Sequence, residues 1–111
     1  MSAQIDLNEN RMIIKLGNTF NFHCQAEFRQ AYENNLNKEI ESIVVDFQRT
    51  RNIDSSSLGM LLVLKDFVEK TCNSLTDSIQ LKNCVEEVEI VFDIANFGKL
   101  FVINQPRLTT E

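Results

Sequence analysis

The run Ile43-Val44-Val45, extended by Phe47, is short, nearly continuous in apolar side chains and rich in β-branched residues. Such a run suits a central strand covered on both faces. Its flanks repeat with a helical period instead. Upstream, Cys24, Phe28, Ala31, Tyr32 and Leu36 recur at three- and four-residue intervals, with Gln25, Glu27, Arg29, Gln30 and Glu33 between them. Downstream, Asp54-Ser55-Ser56-Ser57 precedes an apolar run over residues 58–68, and an Asp or Ser at that position can cap a first helical turn. A buried strand between two amphipathic helices points to an α/β layer arrangement, since parallel strands need helical crossovers.

The remaining segments extend the pattern. Ile5 and Leu7 alternate with Gln4, Asp6 and Asn8; a turn at Asn8-Glu9-Asn10 follows, and Met12, Ile14 and Leu16 alternate again, as in a hairpin. Gly17-Asn18-Thr19 ends it, and residues 48–53 read as a loop. Ile79 and Leu81 alternate with Ser78, Gln80 and Lys82 as a short strand. Val85, Val88, Phe92 and Ala95 form the stripe of a third helix with Gly98 as its expected stop. Phe101-Val102-Ile103 before Pro106 completes the series as an edge strand, with a frayed tail from residue 105 to Glu111. With 111 residues, only 3 Gly and 1 Pro, and no repeat or low-complexity tract, the chain reads as one domain over residues 1–111. The expected sheet is mixed, because a hairpin opens a series of crossover-linked strands.

Charge and composition narrow the function. A formal net charge of −5 argues against a nucleic-acid footprint, so a protein is the expected partner. No apolar stretch approaches the roughly 20 residues that span a bilayer, and residues 1–10 lack the features of a secretory leader, so a cytoplasmic protein without membrane insertion is expected. Cys24, Cys72 and Cys84 are an odd set without Cys-x-x-Cys spacing and read as idle thiols. The acidic residues Glu86, Glu87, Glu89 and Asp93 do not converge on one helix face, so no metal and no cofactor is expected. A Ser-His-Asp hydrolase would have to use His23, the only His, and nothing in the spacing brings it to Ser55; the chain is not expected to be an enzyme.

The segment around Asp54 is the most informative. It sets three hydroxyls and a carboxylate where a loop becomes a helix, and the unpaired N–H groups there favour an added phosphate. The plain alternative is that these residues only cap the helix. At about 100° per residue, Met60, Leu61, Val63, Leu64, Phe67 and Val68 fall on one core-facing arc. Leu58 and Leu62 fall with Lys65, Asp66 and Glu69 on the solvent side, as a small docking patch beside the serines.

These residues resemble a known family. Val44-Val45-Asp46-Phe47, a short loop, and then Ile53-Asp54-Ser55-Ser56-Ser57-Leu58-Gly59-Met60-Leu61-Leu62 is similar to the signature of STAS domains of the bacterial anti-sigma factor antagonist type. The similarity extends to the N-terminal hairpin, the turn at residues 17–22 and Phe92-Asp93-Ile94-Ala95-Asn96-Phe97. It implies a small single-domain sheet of four or five strands, with helices packed mainly on one side. It also implies that Ser55 is the phosphoacceptor, with Ser56 as the fallback and Asp54, Ser56, Ser57 and Gly59 as its neighbourhood. Two departures stand out. Ser57 occupies a position where the family usually has Gly, offering a third hydroxyl, and Asn21 stands where an Asp of the partner-recognition turn is common.

The mechanism implied is partner switching. The unmodified domain binds a regulator that is commonly its own serine kinase, phosphorylation adds roughly −1.5 to −2 charges and opposes binding, and a phosphatase resets it. Asn21, Leu58 and Leu62 are the expected partner-binding residues. The competing expectation is a constitutive, non-catalytic scaffold subunit of a signalling or transport assembly.

Overall fold

A computed structural model of the protein describes residues 3–8 (backbone), 10–37, 39–71 and 79–103. Strands β1 (Ala3–Asn8) and β2 (Arg11–Leu16) form the expected antiparallel hairpin. Its turn places Asn10 at φ 66°, a left-handed conformation that Asn tolerates better than most side chains. Helix α1 (Gln25–Asn35) carries the chain to β4 (Ser42–Asp46), α2 (Ser55–Thr71) to β6 (Ile79–Lys82), and α3 (Glu86–Ile94) to β7 (Val102–Ile103). The sheet order is β1-β2-β4-β6-β7, parallel from β2 onward. This is the mixed five-stranded α/β sheet that the sequence pattern implies.

Register explains which face is covered. Met12, Ile43 and Ile79 lie side by side across the sheet, as do Ile14, Val45, Leu81 and Ile103. These rows join the core cluster with Phe28, Tyr32, Leu61, Leu64, Val88 and Phe92 from the three helices. The opposite face carries Ile13, Val44, Gln80 and Val102. Central position for β4 is as expected, and its residues Ile43, Val44 and Val45, which alternate between the two faces, are all buried. Val44 is buried yet stands outside the core cluster, and its register neighbours Ile13 and Gln80 are half-buried.

Of the eight Phe and one Tyr, all but Phe22 belong to one continuous set of ring contacts. Phe20 meets Phe28 edge to face at 4.9 Å, and Phe47 meets Phe92 at 5.4 Å, tying both outer helices to the end of β4. Such pairs add about 0.5–1.5 kcal/mol each beyond the area they bury.

Two local expectations change. The third helix stops at Ile94, and Asn96 at φ 60° supplies the left-handed turn expected of Gly98, which instead lies in a 3-10 turn over Phe97–Lys99. Two strands of two residues, β3 (Thr19–Phe20) and β5 (Asn52–Ile53), pair in parallel where sequence alternation gave only turn and loop. Cys24 and Cys84 are buried, in keeping with the sequence reading; Cys72 and the tail lie outside the described residues.

Candidate functional site

The small β3–β5 ladder builds the site. The Thr50 side chain is fully buried, with its hydroxyl donating to the Gly17 carbonyl at 2.8 Å. The Arg51 N–H donates to the Asn18 carbonyl at 2.8 Å, and Phe20 pairs with Ile53. These bonds hold the entrance to α1 beside the entrance to α2, although the two are more than thirty positions apart in sequence. At the first entrance, Asn21 caps a 3-10 turn (Phe22–Cys24), its side-chain oxygen accepting from the His23 N–H at 3.0 Å. His23 is exposed on that turn.

At the second entrance, Asp54 and Ser57 cap one another. The Asp54 Oδ1 accepts from the Ser57 N–H at 3.1 Å, and the Ser57 Oγ accepts from the Asp54 N–H at 3.0 Å. This is the reciprocal logic of a capping box, with Ser taking the role usually held by Glu or Gln. The Ser57 hydroxyl proton goes to the Phe20 carbonyl, so one side chain closes the helix start and ties it to β3. Ser57 is fully buried. It is therefore not the available third hydroxyl that the sequence offered. It lies in line with Leu61, Leu64 and Val68 on the inner face of α2, a spacing of four, three and four that a polar residue disguises.

Ser55 and Ser56 differ sharply from Ser57. Ser56 is half-buried and donates to Asp54 Oδ1 at 2.6 Å. That bond, foremost, holds the Asp54 carboxyl below its ordinary value; the backbone N–H and side chain of Ser57 and the Ser56 backbone add to it, against a desolvation cost. Ser55 is exposed, and among the described residues its hydroxyl has no hydrogen-bond partner.

The expected leucine patch is redrawn. Leu62 is 42% exposed, but Leu58 is half-buried and packs against the core cluster. Val63, assigned to the core arc by periodicity, is 50% exposed. It lies well round the helix from the line of Ser57, Leu61 and Leu64, so centring the arc on Leu61 moves Val63 outward and Leu58 inward. Phe22, which no periodic pattern singled out, is 62% exposed. Between α1 and the first turns of α2 runs a groove of about 280 Å³, lined by Phe22, Arg29, Ser56, Gly59, Met60 and Val63 among others. Gly59 leaves open space above it, with nothing within 4 Å of where a Cβ would stand.

A parallel sheet entered from a hairpin, helices on one face, and a serine-capped helix start beside an apolar groove define a small α/β domain with a candidate docking surface. The sequence pattern of the STAS domain matches residues 2–110, and the chain belongs to that family. A STAS-domain containing protein of Pseudomonas aeruginosa is 36% identical over 93 residues, covering 84% of this chain and 87% of that one. Among solved structures, a Thermotoga maritima protein assigned as an anti-sigma factor antagonist superposes with a TM-score of 0.73 at 18% identity, covering 95% of this chain and 87% of that one. The Bacillus cell fate determinant SpoIIAA in its phosphorylated form superposes with a TM-score of 0.61 at 18% identity, covering 95% and 93%. Among the described residues, no helix is long and apolar enough to cross a membrane.

Proposed function

We propose that this protein is a non-catalytic, phosphorylation-gated binding module of the cytoplasm, with Ser55 as the phosphoacceptor. The unmodified form docks a protein regulator, such as a serine kinase of the anti-sigma type, through the surface around Asn21, Phe22, Leu62 and Val63. Phosphate on Ser55 releases the regulator, and a phosphatase restores binding. The observation that carries this reading is the contrast between the serines: Ser57 is buried and spent on capping, Ser56 is engaged by Asp54, and Ser55 is exposed and unengaged. Similarity to a protein whose structure is known in a phosphorylated form supports it.

Gating follows from charge. A phosphoserine adds roughly −1.5 to −2 charges beside a docking surface that must be desolvated on binding. Ser55→Asp should then weaken capture of the partner while Ser55→Ala preserves it, with a loss on the order of 1 to 3 kcal/mol. The measurement is affinity capture from the source cells followed by calorimetry on the partner so found. Equal affinity of Ser55→Ala, Ser55→Asp and phosphorylated protein would remove the charge gate and leave a constitutive scaffold.

A further inference from the structure

Among the described residues, Arg29 is the one charged residue that lines the groove, and it stands on α1, across from Ser56 and Gly59 on α2. Its guanidinium is engaged by Glu33 at 2.7 Å, an i,i+4 pair in which the arginine side chain is 60% exposed. An exposed pair of that kind is weakly held, because solvent screens it and two long side chains must be ordered to make it. A phosphoserine at position 55 would stand on the first turn of α2 with two unlike chain neighbours, Asp54 before it and Ser56, a lining residue of the groove, after it. On one side is the Asp54 carboxylate, kept ionised by its hydrogen bonds from Ser56 and Ser57. On the other, past Ser56, is the groove with its single cation. Repulsion from the first and attraction to the second act in the same direction. A guanidinium also prefers a phosphate dianion, which offers more charge and bidentate geometry, to one carboxylate.

Resting on the proposed acceptor role of Ser55, we propose that Arg29 is the internal receptor of the phosphate: it leaves Glu33, pairs with phosphoserine 55, and draws the phosphate over the mouth of the groove between Phe22 and Val63. Phosphorylation then closes the docking groove as well as charging its rim. Arg29 is a positioning residue in this account, acting through the groove. Tyr32 and Glu33 are the other titratable groups beside it on α1, and burial foremost keeps the Tyr32 hydroxyl protonated to a higher pH than usual.

The test uses the full chain with phosphoserine incorporated at position 55 during translation, so no kinase, partner or cellular site assignment is needed. Phosphorus NMR titration reads the second ionisation of the phosphate in wild type, Arg29→Lys and Arg29→Gln. Methyl and ring resonances of Val63 and Phe22 read the groove. The expected result is a phosphate that ionises about one pH unit lower in wild type than in Arg29→Gln. Arg29→Lys should fall between, and Val63 and Phe22 should shift on phosphorylation only when the arginine is present. Superimposable titrations in wild type and Arg29→Gln, or Val63 and Phe22 shifts that survive the substitution, would overturn the proposal. Absence of phosphate on Ser55 in cells would instead count against the acceptor assignment, and this experiment would still read whether Arg29 can receive it.

Discussion

Helices α2 and α3 begin in opposite electrostatic settings. The first turn of α3 carries Glu86, Glu87 and Glu89 and follows Val85, which makes no side-chain cap. Its exposed N–H groups are thus met by three carboxylates, a favourable match to the positive end of a helix. The first turn of α2 has no acidic residue. One carboxylate, Asp54, stands before it and is already committed to Ser56 and Ser57. A helix start saturated with fixed charge has no use for more, whereas one held by a single cap and two hydroxyls has room for a charge that comes and goes. The same physics gives the start of α3 a permanent solution and leaves the start of α2 open to the switchable one that the proposed function requires.

That comparison presumes that α2 is anchored by its inner face, and the largest expected effect tests it. Leu64→Ala should cost roughly 2–5 kcal/mol of folding stability in a denaturant melt, because the side chain is fully buried in the core cluster. Ser57→Ala should cost about 1–3 kcal/mol, since it leaves the buried Phe20 carbonyl and the Asp54 N–H without their partner. A loss near zero would mean that the Ser57 side chain does not anchor the start of α2.

The start of α2 should also respond to pH. The folded-state pKa of Asp54 lies below its ordinary value of 3.8. Its contribution is therefore complete above that value and is lost as pH falls through the lower folded value. Asp54→Asn should remove that acid-side slope from a stability-against-pH series. At neutral pH, Glu87→Gln should cost about 0.3–1 kcal/mol through the helix dipole alone. The smallest change is expected of Leu62→Ala. With 42% of its surface exposed, it should shift stability by less than about 0.5 kcal/mol while weakening partner capture. A stability loss matching that of Leu64→Ala would remove Leu62 from the docking surface.

Strong periodicity made the framework legible. The hairpin, the three helices and strand β6 announce themselves through alternation or helical spacing, as Met12, Ile14 and Leu16 or Val88 and Phe92 do, and β4 and β7 through short apolar runs. What stayed hidden depends on contacts between distant segments. Strands β3 and β5 are two residues each, too short to show a period, and exist because Thr50 and Asn18 reach across the chain. The groove requires α1 and α2 to be side by side, so neither Phe22 nor Arg29 carried a local signal. Ser57 was hidden by chemistry: a hydroxyl at the centre of a buried face reads as a surface residue until its partners are known. Asn96 took the stop assigned to Gly98 because Asn also tolerates positive φ.

The central claim is that the exposed, unengaged hydroxyl at the start of α2 is the one that is modified. Tandem mass spectrometry of the protein isolated from its own cells, with fragment ions that separate the three consecutive serines, tests this most directly. The account predicts phosphate on Ser55. Phosphate centred on Ser56, on the buried Ser57, or outside the Asp54-Ser55-Ser56-Ser57 segment would contradict it.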